Sequence, residues 1–140
     1  MRRKASVVWQ GDFEEGRGLI NTESSALSDA HYFGSRHRRT KGTNPGELIA
    51  AAHAACFSMA LSLMVGEGGL TLERIETHAA VTIEKVGEGF EITRSHLDVS
   101  AKIPGADNTK FQELASKAKA GCPVSKLLKA QITMDAKLES

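Results

Sequence analysis

The sequence is poor in cysteine and has little net charge. Its 140 residues include two cysteines, Cys56 and Cys122, and the formal net charge is +1. Two cysteines are too few for a disulfide-stapled scaffold, so we expect either buried structural thiols or a redox pair in a reducing compartment. Near-neutrality removes any bulk electrostatic attraction to nucleic acid or to a membrane surface.

The chain also lacks the marks of a secreted or nucleic-acid-binding protein. Residues 1–6 are basic but no apolar run follows them, so no signal peptide is predicted and a cytoplasmic location is expected. Arg36, Arg38 and Arg39 form a basic run without interleaved aromatic residues. A short run of this kind in a near-neutral chain predicts no nucleic-acid partner.

Length and composition are typical of one soluble domain. Hydrophobic residues make up 41% of the chain and charged residues 25%, and there is no internal repeat or linker-like segment. A chain of this length has the size of a single domain. We therefore expect residues 1–140 to form one domain.

One long apolar run, residues 45–65, stands out. Asn44 can cap it as a helix, Pro45 suits the first helical position, and Glu47 lies where it can close a capping box. Beyond Glu47 the run carries no formal charge, which is typical of a helix buried on all sides. His53, internal serines and the lack of flanking aromatic anchors argue against a membrane span, so no membrane partner is predicted.

Strand-like patterns flank this helix. Strands are predicted near residues 5–9, 16–22 and 28–33 before it, and alternation resumes over 75–84 and 90–103 after it. The apolar residues of the last segment change parity, which predicts a β-bulge between Thr93 and His96. Two further helices and a final strand complete the order β-β-β-α-β-β-α-α-β. This order predicts an α+β fold with largely antiparallel sheets packed on the central helix.

The two cysteines allow more than one interpretation. Cys56 in a buried helix can be a plain small hydrophobic residue. Cys122, between Gly121 and Pro123, is predicted at a helix start, where backbone N–H groups favour a thiolate. A reactive thiol and a second thiol that condenses with its sulfenic acid are what a two-cysteine peroxidase needs. A zinc site with His53 is disfavoured because close paired-ligand spacing is missing.

Glu47 and Cys56 are out of phase on the predicted helix. Nine residues separate them, which is about half a turn out of phase and about 13–14 Å along the axis. They can share one site only if two copies of the chain contribute, so we expect a homodimer with packed central helices. An arginine of the basic run would stabilise a thiolate, and Glu47 is its natural carboxylate partner.

His53 precedes Cys56 by three residues and lies on nearly the same helix face. It could activate the thiol. The favoured interpretation is a core histidine hydrogen-bonded to the backbone.

Three segments resemble the OsmC branch of the OsmC/Ohr family, the osmotically inducible protein C and organic hydroperoxide resistance proteins. They are KGTNPGEL at 41–48, AAHAACFSMAL at 51–61 and KAKAGCPVS at 117–125. The resemblance implies an OsmC-like intertwined α+β homodimer, with sheets wrapped around long central helices and active sites at the subunit interface. It also implies thiol-dependent reduction of organic hydroperoxides, and more weakly of hydrogen peroxide.

The same resemblance assigns roles to individual residues. Cys56 corresponds to the peroxidatic cysteine, Cys122 to the resolving cysteine, and Glu47 to the carboxylate that holds the catalytic arginine. The OsmC branch places that arginine before the central helix, at Arg36; the Ohr branch places it between glycines near the N-terminus, at Arg17. We take Arg36.

The resemblance implies no cofactor and no metal, and a dithiol reductant of the lipoyl type. The alternative function is a non-catalytic redox-sensing or ligand-binding module of the same fold.

Overall fold

The computed structural model describes residues 1–37 and 39–140, so Arg38 lies outside the described residues. The chain divides into two compact units, Met1–Leu48 and Ile49–Ser140. Described separately, each unit contains one three-stranded sheet, in which strands consecutive in the sequence lie side by side. With its helices, the chain has the predicted α+β composition.

The first unit is an antiparallel meander. Its strands are β1 (Ala5–Gln10), β2 (Arg17–Thr22) and β3 (Ala30–Phe33), which pair β1–β2 and β2–β3. The Asp12 carboxylate accepts the N–H groups of Glu14 and Glu15 at 3.0 and 2.7 Å, which shapes the turn between the first two strands. A 3₁₀ turn, Ser35–His37, follows β3. The strands predicted before the long helix are confirmed.

The long helix α1 spans Pro45–Glu67. Asn44 Oδ1 accepts the Glu47 N–H at 2.8 Å, so the predicted N-cap is confirmed. The capping box is not formed as predicted, because the Glu47 carboxylate instead accepts the Thr43 hydroxyl at 2.8 Å. The hydroxyl of Thr43, one residue before the N-cap, therefore takes the place of the Asn44 N–H as the donor to Glu47.

Helix α1 is buried along one stripe in the single chain, rather than on all sides as expected. The buried residues, His53, Phe57, Leu61 and Val65, recur every four positions. Met59 and Leu63, on other faces, are 74% and 62% exposed. By length and composition the helix could cross a membrane, a test that core helices of soluble proteins also pass.

The second unit contains a mixed sheet. Strands β4 (Arg74–Val86) and β5 (Gly89–Lys102) form an antiparallel hairpin, and β6 (Gln131–Leu138) lies parallel to β5. The sheets are thus largely antiparallel, as predicted, and the parallel pairing of β6 is the exception. In the sequence, two helices connect β5 to β6: α2 (Asn108–Gly121) and α3 (Pro123–Leu127). They return the chain to the other end of the sheet, which a parallel pairing requires.

The predicted β-bulge is present in β5. Thr82 pairs with Arg94 and Ile83 pairs with Ile92, so Thr93 is the extra residue. Beyond the bulge, Leu97 is fully buried, as the change of parity requires. Phe90, the second residue of β5 and next to the hairpin turn, is 74% exposed.

The core of the second unit lies between α1, α2 and β5. Phe57 and Leu61 of α1, Leu97 of β5 and Phe111 of α2 are fully buried members of one apolar cluster. Helix α2 contributes one apolar stripe to this core, because its buried residues are Phe111, Leu114, Ala115 and Ala118. This packing presents Cys56, on α1, to the segment that joins α2 to α3.

Candidate active site

The structure brings Cys56 and Cys122 together, although 65 residues lie between them in the sequence. Both are free thiols. Cys122 is the junction of two helices: Gly121 ends α2, Pro123 begins α3, and the Cys122 N–H donates to Ala118 O at 3.0 Å. Its side chain is fully buried, whereas Cys56 is partly exposed. The pair therefore has one thiol open to an external reagent and one held behind it.

The surroundings of Cys56 favour the protonated thiol in the single chain. Burial raises the Cys56 pKa, and a hydrogen bond with the neighbouring Cys122 thiol raises it further. The Val124 N–H donates to the Cys56 sulfur and lowers the pKa, but less strongly. The backbone N–H at the start of α3 therefore stabilises a thiolate at Cys56, whereas the sequence had suggested this effect for Cys122. A thiolate at Cys56 needs a cation that these groups do not provide.

His53 is a core histidine, but its partners are side chains and not the expected backbone groups. Its ring is fully buried, with Nδ1 2.7 Å from Ser95 Oγ and Nε2 2.8 Å from Ser125 Oγ. Burial lowers the His53 pKa, so the imidazole is kept neutral. Both ring nitrogens are occupied, which removes His53 as a base for Cys56 and as a zinc ligand in this arrangement.

Arg36 lies on the 3₁₀ turn of the first unit and pairs with two glutamates. Its Nη2 is 2.5 Å from Glu14 Oε2 and its Nε is 2.9 Å from Glu15 Oε1. The ion pair expected between Arg36 and Glu47 is therefore replaced in the single chain. The cause is local, because the Ser35 and Arg36 N–H groups donate to Phe13 O and Glu14 O, which fixes this turn beside the two glutamates.

The glycines around Arg17, the alternative arginine, have a packing reason. A Cβ on Gly16 would lie 2.5 Å from the Trp9 ring, and one on Gly18 would lie 2.1 Å from the Tyr32 ring. The two glycines of the Gly-Arg-Gly motif therefore make room for two aromatic rings, one at the residue before β2 and one within β2. Arg17 itself is exposed and lines a surface cavity of about 380 Å³ with Leu19 and Phe33.

A cluster of metal-ligand type lies elsewhere, on the second sheet. His96 Nε2 is 3.4 Å from Asp98 Oδ1 and 3.2 Å from Asp135 Oδ2. In register, Asp98 and Asp135 are directly opposite, so His96 separates two carboxylates that would otherwise repel each other. No sequence pattern pointed to this cluster, because its members meet only through the parallel pairing of β6.

The chain combines an α+β fold with two adjacent free thiols, one on a core helix and one at a helix junction. Proteins with this combination form a class of thiol-bearing α+β proteins. The family model described as OsmC-like protein matches residues 38–137. The chain is 50% identical to Peroxiredoxin OsmC of Escherichia coli over 141 aligned positions, which cover 100% of this chain and 99% of that protein. The chain belongs to the OsmC-like family.

More distant relatives are similar in sequence over part of the chain, and solved structures of the family share its fold. Organic hydroperoxide resistance protein OhrB of Bacillus subtilis is 36% identical over 70% of this chain and 69% of its own length. The crystal structure of that OhrB superposes with a TM-score of 0.69 at 26% identity, covering 97% of this chain and 98% of that one. An OsmC-like protein from Mycoplasma pneumoniae shares the fold, with a TM-score of 0.81, 14% identity and coverage of 100% and 99%.

Proposed function

We propose that this protein is a two-cysteine thiol peroxidase that reduces organic hydroperoxides, and hydrogen peroxide more weakly. The observation that carries the proposal is the pair of adjacent free thiols, with Cys56 partly exposed and Cys122 buried behind it. The names of the relatives, a peroxiredoxin and organic hydroperoxide resistance proteins, support the substrate class. Because the alignment to the peroxiredoxin covers the full chain, we take residues 1–140 as one OsmC-like functional domain.

The proposed cycle uses both thiols. The Cys56 thiolate attacks the terminal oxygen of ROOH, the O–O bond breaks, and the departing alkoxide takes up a proton to become the alcohol. Cys56 is then a sulfenic acid. The Cys122 sulfur attacks it, and the hydroxyl leaves as water as the disulfide forms. An external dithiol restores both thiols by two exchange steps and becomes a disulfide itself.

The protein acts as a homodimer in this proposal. The stripe of α1 that includes Ala52, Ala55 and Met59 is exposed in the single chain although it is apolar. Met59 and Leu63 also line a groove of about 570 Å³. Packing of α1 against its copy would cover these side chains, and small alanines allow a close approach of the two helices. The intertwined arrangement expected from the family would place residues of both copies at each site.

The dimer would also supply the cation that Cys56 needs. We assign this role to Arg36, with Glu47 as its carboxylate partner in the assembled site. Arg36 would exchange its contacts with Glu14 and Glu15 for this arrangement, and both of those contacts are exposed. Exposed ion pairs contribute little to stability, so the exchange costs little. Arg17 is the alternative source of the cation.

The reductant is proposed from the family resemblance and the location from the lack of a predicted signal peptide. A lipoyl-type dithiol is the proposed reductant, the cytoplasm the proposed location, and no cofactor or metal is required by the cycle above.

The test is steady-state consumption of cumene hydroperoxide, with dihydrolipoamide and thioredoxin as competing reductants. Wild-type protein should turn over, and faster with dihydrolipoamide. Cys56→Ser should abolish turnover, and Cys122→Ser should stop after one turnover with accumulation of over-oxidised Cys56. Stoichiometric disulfide formation without turnover would instead identify a redox sensor, and unchanged turnover in Cys56→Ser would contradict the mechanism.

A further inference from the structure

Two matched contacts join α1 to the segment that carries Cys122. His53 and Cys56 are three residues apart on α1, and Cys122 and Ser125 are three residues apart across the start of α3. One contact is between the two thiols. The other is the hydrogen bond of 2.8 Å between His53 Nε2 and Ser125 Oγ. Since residues three apart share a helix face, the two contacts lie side by side.

The hydrogen bond with His53 holds the buried side chain of α3, Ser125. Within the described residues of this five-residue helix, Ser125 is the buried side chain, whereas Leu127 is 80% exposed. A helix this short has little stability of its own. Its position against α1 therefore depends on the Ser125 hydroxyl and on the adjacent Cys122.

The histidine is in turn held from the opposite side. Its Nδ1 shares a hydrogen bond of 2.7 Å with Ser95 Oγ, and both His53 and Ser95 are fully buried. A neutral imidazole has one donor and one acceptor, and a serine hydroxyl can complement either. The chain Ser95–His53–Ser125 thus links β5, α1 and α3 with every polar ring atom satisfied, and a buried group left without its partner is costly.

We propose that His53 is a positioning residue for the second step of the proposed cycle: through Ser125 it holds Cys122 at bonding distance from Cys56. The inference rests on the proposed function for its role in the cycle, but the geometry it asserts can be measured without peroxide. Disulfide formation requires the two sulfurs to approach to about 2.05 Å within a narrow range of Cα separations. A loosened α3 would meet that requirement less often.

The decisive comparison is Ser125→Ala against Ser95→Ala. Each variant removes one hydroxyl from His53, but only Ser125 belongs to the segment of Cys122, so Ser95→Ala is the matched control. Equilibration in glutathione buffers measures the effective concentration of one thiol for the other. We expect Ser125→Ala to lower it about tenfold, the effect of one lost buried hydrogen bond, and Ser95→Ala to change it less than about twofold.

A single-turnover experiment with peroxide tests the role of Ser125 in the proposed cycle. With one equivalent of cumene hydroperoxide and no reductant, mass spectrometry gives the ratio of sulfinic acid at Cys56 to Cys56–Cys122 disulfide. This ratio should rise about tenfold in Ser125→Ala, and Ser125→Thr, which keeps the hydroxyl, should restore the wild-type value.

Equal effective concentrations in wild type and Ser125→Ala, or equal losses in Ser125→Ala and Ser95→Ala, would overturn the positioning role. A wild-type protein that forms the disulfide in glutathione but ignores peroxide would overturn the proposed function alone. Should Ser125→Ala not fold, His53→Leu, which offers Ser125 no hydrogen-bond partner, supplies the comparison: an effective concentration at or above that of Ser95→Ala would contradict the inference.

Discussion

Placing charge on the exposed face of α1 should separate the proposed dimer and inactivate it. The perturbation is the double variant Met59→Glu with Leu63→Glu. Full burial of either side chain is worth about 2 kcal/mol. Since Met59 and Leu63 are 74% and 62% exposed in the single chain, covering both residues in both copies contributes about 5 kcal/mol. That is roughly three to four orders of magnitude in the dissociation constant.

The expected consequence for activity comes from the Cys56 pKa. In the single chain burial and Cys122 raise it, so a separated protomer would hold a protonated thiol. A cation within a few ångströms changes a pKa by about 1–3, so loss of the partner's contribution should slow peroxide consumption about 10- to 1,000-fold. The two cysteines themselves would remain in contact.

Sedimentation velocity and cumene hydroperoxide consumption, measured on the same samples, form the assay. Leu127→Glu is the matched control, because Leu127 is also apolar and 80% exposed but lies on α3. The control should remain a dimer. A double variant that stays dimeric, or that becomes a monomer and keeps wild-type activity, would refute the reasoning.

Two further predictions concern single side chains. Arg36→Ala should lower the rate of peroxide consumption about 100-fold through the Cys56 thiolate, while Arg17→Ala should stay within about threefold; the reverse order in the same assay would transfer the role to Arg17. His53 should contribute to acid sensitivity. Its pKa is lowered from 6.5 by burial, so its contribution to stability is full above pH 6.5 and declines as pH falls toward the lowered folded value. Urea unfolding at pH 7.5 and pH 5 should show a smaller loss in His53→Gln, and an unchanged loss would contradict this assignment.

The local features were predictable because their causes lie close together in the sequence. Asn44 and Pro45 mark the start of α1, and the parity change predicted a bulge between Thr93 and His96, which the structure has at Thr93. The parallel pairing of β6 was not predictable, since alternation indicates a strand but not its direction. It depends on how α2 and α3 return the chain.

The environment of the candidate site depended on distant residues. Ser95 and Ser125 lie 42 and 72 residues from His53, and no local pattern connects them. Similarly, backbone hydrogen bonds of the 3₁₀ turn bring Arg36 to Glu14 and Glu15, whereas charge complementarity alone had suggested Glu47. The matched three-residue spacing of His53 with Cys56 and of Cys122 with Ser125 was a signal in the sequence, but only the contact between α1 and α3 gives it meaning.

The central claim is that Cys56 and Cys122 act as one redox pair on peroxide, and mass spectrometry with thiol titration tests it most directly. One equivalent of cumene hydroperoxide is added to the reduced protein without a reductant. The account predicts the loss of both thiols, a decrease of two hydrogens in mass, and a Cys56–Cys122 crosslink within one chain after proteolysis. Both thiols still titratable after the peroxide has been offered would contradict it.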